Sequence, residues 1–337
     1  MRNVQIVLFD GFDLLDAIAP YEVFCAAGAS AGGTLNVEFV TAEGARAVAS
    51  GTNGLKIEAG GRLDPERGGI ILVPGASGDV EGDGPDSVPA ILGRAMNTEL
   101  TGLMSRAIGQ KDTVVATVCG GSLLLAMGGL LEGRRAVTHH LGMKVLGATG
   151  AVPVPARVVD DGSLVTGGGV TSGLDVALYL VERELGPRIA HAVEQLFEYE
   201  RRGTVWRESG AAPTAREVPG ADGAERDAAR LGGGKAPSSA FDGIWETTIA
   251  TPIGKLPVQF RFYTEEGKLR GWASNGEEEV PLADLEIRDH VLTWSQRVTK
   301  PMRLNLKFEA AIDGDRMTGI AKAGVLPASK VTGARVR

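Results

Sequence analysis

Cys119 is the residue best placed to do chemistry. It directly follows the run Val114-Val115-Ala116-Thr117-Val118 and precedes Gly120-Gly121-Ser122, which opens a helix. Strand, nucleophile and helix in that order make a nucleophile elbow: a sharp turn holds the side chain above the sheet, and small neighbours let backbone N–H groups approach a developing anion. The N-terminus of the following helix favours a thiolate and so lowers the thiol pKa. The plainer alternative is a buried structural cysteine, the commonest state of a free one. Cys25, on an apolar helix face beside Phe24 and two alanines, fits that description. Asp16 follows the first strand and therefore lies on the same sheet edge as Cys119. Its type equally suits an N-cap for a helix starting at Ala17.

A parallel sheet must carry this elbow. Val4 to Phe9 is an apolar run closed by Asp10-Gly11, and Leu35 to Thr41, Gly69 to Val73 and Thr113 to Val118 read as further buried strands. Arg135 to Thr138 and Leu164 to Thr166 read as short ones. Helices are expected over Ala17 to Ala27 with Pro20 in the first turn, Val88 to Gln110, Gly121 to Gly128, Leu174 to Leu185 and Ile189 to Tyr199. Continuous apolar strands with helical crossovers mean a sheet covered on both faces, with ligands bound beyond the carboxyl ends of the strands.

The period changes further along. Arg207 to Ala240 is poor in apolar residues and rich in Gly, Ala, Pro and charge, which predicts a flexible linker with a short helix over Ala224 to Leu231. It divides the chain into domains of residues 1–206 and 241–337. The second shows alternation of period two, as in Leu256-Pro257-Val258-Gln259-Phe260-Arg261-Phe262 and Leu304-Asn305-Leu306-Lys307-Phe308. Turns are expected at Glu266-Gly267, Asn275-Gly276 and Asp313-Gly314, making an antiparallel meander closed as a small β-barrel. Phe241, Trp245, Trp272 and Trp294 are assigned to its interior, which a packed core suits better than a ligand.

Composition excludes several roles. The 337 residues carry a net charge of −7, which disfavours nucleic-acid binding. Two cysteines cannot build a disulfide framework and fit a reducing compartment. There is no Cys-x-x-Cys or His-x-x-x-His pair, so no metal site is expected. The amino-terminal residues do not read as a targeting signal and no run of 18 apolar residues exists, so the expectation is a cytoplasmic protein away from the membrane.

The stretch VATVCGGSLLLAMGGLLEGRRAVTHH around Cys119 resembles the elbow of the PfpI/ThiJ (class I glutamine-amidotransferase-like) superfamily. The likeness extends through Pro20 to Phe24, Leu72 to Ala76 and Ala156 to Leu178, and is strongest toward the isonitrile (isocyanide) hydratases. Gly243-Ile244-Trp245 resembles the entry of lipocalin-like barrels, with Trp245 as floor plug. The first resemblance implies a flavodoxin-like α/β sandwich and a homodimer acting on a small molecule without cofactor. It implies Cys119 as nucleophile and Asp16 as the acid reaching its sulfur. Gly75, Ala76 and Gly120 would supply backbone donors, and His139 and Thr171 would line the pocket. Cys119 would attack the terminal carbon of an isonitrile while Asp16 protonates it, and water would resolve the thioimidate to an N-substituted formamide. A glyoxalase-like or other hydrolytic activity on reactive carbonyls, or a cysteine-based sensor without turnover, are the rivals. A regulator is disfavoured, since no helix-turn-helix pattern follows. The chain departs from the family pattern at three places: Ala76 replaces a glycine, Gly120 replaces the hydratases' threonine, and His140 replaces an aromatic. His191 and His290 have no motif context.

Overall fold

A computed structural model describes residues 2–80, 84–211, 240–251, 254–265, 268–274, 279–288, 290–298, 304–323 and 328–336. The chain runs β1 (Arg2–Val7), α1 (Leu14–Ser30), β2 (Leu35–Thr41), β3 (Arg46–Ala49), β4 (Lys56–Ala59), β5 (Gly61–Arg62) and β6 (Gly69–Val73). Then come α2 (Val88–Met96), α3 (Leu100–Ile108), β7 (Thr113–Thr117), α4 (Gly121–Met127), β8 (Arg135–Ala136), α5 (Met143–Ala148) and β9 (Val152–Pro153). The first domain ends with β10 (Val158–Asp160), β11 (Leu164–Gly167), α6 (Ser172–Leu185), α7 (Pro187–Phe197) and β12 (Trp206–Arg207).

Its main sheet has the order β12-β10-β11-β7-β6-β1-β2-β5. Every described pair is parallel except the β10–β11 hairpin. Ile70 to Val73 and Val115 to Thr117 are buried without alternation, so both faces of the sheet are covered, as the unbroken apolar runs required. α1, α6 and α7 pack on one another, and α2, α3, α4 and α5 form a second group.

Several element bounds move. α1 starts at Leu14 because Asp13 caps it, its Oδ1 accepting from Leu15 N at 3.0 Å and Asp16 N at 3.2 Å. Asp16 is therefore inside the helix and is not its cap. Pro20 sits in the helix interior rather than the first turn; its ring faces Gly173, where a Cβ would lie 3.3 Å from Pro20 Cδ and Cγ. The single helix expected over Val88 to Gln110 is two. Thr98 Oγ1 donates to Ala95 O at 2.7 Å and accepts from Leu100 N at 3.2 Å, local bonds that replace the helical ladder. The expected strand over Arg135 to Thr138 shrinks to β8, which pairs with β9 outside the main sheet. Arg207 belongs to β12 and pairs in register with Asp160 of the main sheet. Glu208 adds an ion pair to Arg135. Residues 212–239, with the helix expected over Ala224 to Leu231, lie outside the described residues, as do the turns at Glu266-Gly267 and Asn275-Gly276.

The second domain consists of β13 (Gly243–Thr251), β14 (Gly254–Glu265), β15 (Lys268–Ser274), β16 (Glu279–Pro281), β17 (Ala283–Arg288), β18 (Val291–Val298), β19 (Leu304–Asp313), β20 (Arg316–Lys322) and β21 (Ser329–Arg335). The order is β16-β15-β14-β13-β21-β20-β19-β18-β17, antiparallel throughout. Its two ends are successive parts of one bent segment. β16 pairs with β15, β17 pairs with β18, and Leu282 between them donates to Gly271 O at 2.9 Å. Asp284 at φ 54° and a register shift between Ala283 and Glu286 make the bend that nearly closes the barrel. Phe260, Phe262, Trp294 and Phe308 fill the interior with ring-to-ring contacts. Trp245 is fully buried, donates to Phe241 O at 2.9 Å and carries the Arg335 guanidinium over its ring. Trp272 does not face the interior: it alternates with buried Gly271 and Ala273 and stacks on Tyr263.

Candidate active site

β7 ends one residue before the elbow, and α4 begins two residues after Cys119. Cys119 has φ 54°, a left-handed conformation that costs a side-chain-bearing residue on the order of 1–3 kcal/mol and persists only when its surroundings over-determine it. They do. Its N–H donates to Gly168 O at 2.8 Å and Gly167 O at 3.1 Å, at the end of β11. Its carbonyl accepts from the buried Thr138 hydroxyl at 2.7 Å. Two glycines allow the close approach of β6 to the elbow. A Cβ on Gly121 would lie 2.2 Å from Val73 O, and one on Gly75 would lie 2.6 Å from Gly120 N and 3.1 Å from Cys119 Cβ.

Asp16, from the first turn of α1, reaches the same place. It is fully buried, and its Oδ2 accepts the Gly75 N–H at 2.9 Å. Its Oδ1 has no partner among the described hydrogen-bonding groups, and the carboxyl interacts with the Cys119 thiol. Burial, reinforced by the charge of Asp13, holds the Asp16 carboxyl well above the usual carboxylate range. A carboxyl raised in this way keeps its proton to higher pH than an exposed one, which suits a donor.

The thiol does not follow the simple expectation of a lowered pKa. Burial pushes the Cys119 thiol up, and negative charge on Asp16 and Asp13 pushes the same way, against the Gly120 N–H that favours the thiolate. The elbow's N–H groups are outweighed because the sulfur is buried beside two carboxyls. The Asp16 part of this push disappears whenever Asp16 holds its proton. The two groups are coupled: negative charge on Asp16 disfavours the thiolate, and its protonation relieves that.

The expected backbone donors separate. Gly75 N–H is committed to Asp16 Oδ2 and is not free for a substrate. Gly120 N–H is directed at the Cys119 sulfur. Ala76 N–H has no partner among the described hydrogen bonds, and Ala76 N lies 3.7 Å from where a Gly120 Cβ would sit. Of the three, the Ala76 N–H is thus the one with no described partner.

His139 lies against Gly169, where a Cβ would be 2.8 Å from its Cδ2, and its Nδ1 accepts from Leu141 N at 3.4 Å. Burial and the neighbouring His140, at a ring distance of 4.3 Å, lower its pKa. His139 thus borders the loop that holds Cys119, but no described bond joins it to the sulfur. Thr171 is exposed and accepts from Arg157 Nη2 at 2.9 Å. His191 lines a separate cleft of about 980 Å³ between α6, α7 and β12, to which neither Cys119 nor Asp16 contributes. Among the described residues no cluster of His, Cys, Asp or Glu could hold a metal ion, and no helix is long and apolar enough to cross a membrane. Sequence reasoning missed the anchoring hydroxyl of Thr138; its place in the Thr138-His139-His140 motif was the available signal.

Residues 2–183 match the DJ-1/PfpI family. The chain is similar to isonitrile hydratase of Pseudomonas putida, 39% identical over 130 residues, or 39% of this chain and 51% of that protein. It is also similar to the HTH-type transcriptional regulator CdhR of Pseudomonas aeruginosa, 26% identical over 200 residues, 58% of this chain and 54% of that one. Among solved structures, a ThiJ/PfpI family protein from Pseudomonas syringae superimposes with a TM-score of 0.50 at 26% identity, covering 62% of this chain and 79% of that one. The chain thus spans about half the length of the hydratase.

Proposed function

This chain belongs to the DJ-1/PfpI family, and from that membership we propose that it is an isonitrile hydratase-like enzyme, a cysteine-dependent hydro-lyase working as a cytoplasmic homodimer. The observation that carries the reading is Cys119 held at φ 54° with the buried carboxyl of Asp16 against its thiol. Similarity to the Pseudomonas putida hydratase supports it from the sequence side.

The reaction starts from the form of the pair that has lost one proton, with Cys119 as thiolate and Asp16 as acid. The sulfur attacks the terminal carbon of the isonitrile, and Asp16 gives its proton to that same carbon. The product is a thioimidate, and Asp16 is now a carboxylate. A water molecule adds to the thioimidate carbon; Asp16 takes one of its protons and passes it to the nitrogen. The tetrahedral adduct collapses as its hydroxyl proton returns to Asp16 and the carbon–sulfur bond breaks. An N-substituted formamide leaves, and thiolate and acid are restored. Ala76 and Gly120 N–H groups stabilise the oxygen of the adduct, a role that in other enzymes is worth about 2.7–4 kcal/mol per donor.

The test is turnover of a simple alkyl isonitrile by the intact chain and by Cys119→Ala, following N-alkyl formamide. Formamide from the wild type alone is expected. Turnover of methylglyoxal or a peptide without isonitrile turnover would replace the reading with a carbonyl-directed hydrolase. Stoichiometric oxidation of Cys119 with no turnover at all would replace it with a sensor.

A further inference from the structure

We propose that Arg157 and Asp175 are positioning residues that clamp the loop holding Cys119 in its left-handed conformation. The proposal rests on Cys119 as the reactive group. It does not depend on which substrate Cys119 attacks.

Two carbonyls hold the Cys119 N–H, and they are secured differently. Gly167 closes β11 and pairs in register with Val158 on β10. Gly168, the nearer acceptor at 2.8 Å, lies outside any strand. Its own N–H donates to Arg157 O at 3.0 Å, so Arg157 sets where that carbonyl stands. The Arg157 side chain then grips the far end of the same loop. Its Nε donates to Asp175 Oδ2 at 2.6 Å and its Nη2 to Thr171 Oγ1 at 2.9 Å, both at the start of α6. One residue thereby fixes residues 168 to 175 from backbone and side chain together.

Asp175 is the anchor. It is 2% exposed, and the donors around it hold it from behind: Arg202 N at 2.7 Å and the Tyr199 hydroxyl at 3.1 Å from each carboxyl oxygen. A buried carboxylate satisfied in this way has little freedom to move. Thr171 is a link in the clamp through its hydroxyl, which differs from the pocket role its motif implied. Neither Arg157 nor Asp175 has a described contact with the sulfur, so any effect they have on it passes through the loop.

The experiment measures iodoacetamide alkylation of Cys119 and Cys25 in the same intact molecule by mass spectrometry, at fixed pH and well below the unfolding temperature. Cys25 is the internal reference, since it lies in the middle of α1. Arg157→Met keeps the alkyl stem and removes the donors. It should slow Cys119 relative to Cys25 by about tenfold, a modest value for a misplaced reacting group. Arg157→Lys should recover part of the loss, because an ammonium can serve Asp175 or Thr171 but does not reproduce the planar fork. A relative rate for Arg157→Met equal to or above the wild type overturns the proposal: a loop that merely covered the cysteine would speed its alkylation when loosened. If Arg157→Met does not fold, Thr171→Val removes one grip only; a smaller slowing is expected and an unchanged rate overturns. Absence of isonitrile turnover in the wild type would sink the hydratase reading and leave the alkylation ratio still decisive for the clamp.

Discussion

The Thr138 hydroxyl donates to the Cys119 carbonyl oxygen at 2.7 Å, so the strained cysteine is held on its carbonyl side by a side chain and on its N–H side by a loop. Thr138→Val leaves that buried carbonyl without its partner. A stability loss of about 1–3 kcal/mol in denaturant unfolding is expected. Thr138→Ser keeps the hydroxyl and should recover most of it; a loss in Thr138→Ser with none in Thr138→Val would show that the methyl group, rather than the bond, matters.

Asp16→Asn separates proton supply from structure. Asp13 caps α1, so the helix start is untouched. The variant loses the acid and should lose isonitrile turnover. It also removes the charge that Asp16, once ionised, sets against the thiol, so at pH values where Asp16 is ionised Cys119 should alkylate faster in the variant than in the wild type. Stability carries a matching sign. A carboxyl raised on folding binds its proton more tightly in the folded chain. Its contribution is therefore full below the unfolded value of about 3.9 and is lost as pH rises toward the folded value. Asp16→Asn should flatten that loss, which unfolding measured from pH 4 to 8 would reveal.

Cys119→Ala should abolish turnover, since no other attacking group is at hand. Cys119→Gly should do the same and yet be more stable than Cys119→Ala. Glycine takes φ 54° without strain, a gain of about 1 kcal/mol. Cys25→Ala should retain activity at a modest packing cost. Residual activity of Cys119→Ala within about tenfold, roughly 1.4 kcal/mol of barrier, would remove the covalent mechanism.

A chain ending at Ala211 should fold and keep turnover of a small substrate, because every residue assigned to the site precedes it. Arg297 on β18 forms an exposed ion pair with Glu132, but such pairs contribute at most about 1 kcal/mol. Ending the chain at Trp206 instead removes Arg207 from β12 and Glu208 from Arg135, and should lower the melting temperature. A soluble, folded 1–211 chain without activity would place part of the site on the barrel.

The sheet and elbow were legible because their signals are local: apolar runs of strand length, and a cysteine between a β-branched run and small residues. Asp16 was placed on the correct sheet edge by chain order alone. Its bond to Gly75 was not legible, because it joins residues 59 apart and depends on the exact approach of α1 to β6. The thiol's pKa was misjudged for a related reason. Helix ends are visible in sequence, whereas the burial that outweighs them is a property of the packed whole. The α2–α3 break was missed because Thr98 interrupts an otherwise helical apolar pattern through its hydroxyl bonds. The outward face of Trp272 was missed because counting aromatics does not fix which side of a strand they take.

The barrel's seam has a consequence for modularity. β13 and β21 are neighbours, and Trp245 pairs directly with Arg335, whose guanidinium also reaches the carbonyls of Ala240 and Asp242. Entry and exit of the barrel are thus fastened to one another by a six-residue ladder, with Arg335 clasping its end. A unit whose two ends lie side by side can be transplanted behind a different partner, or reordered by circular permutation, without disturbing the pairing of its strands.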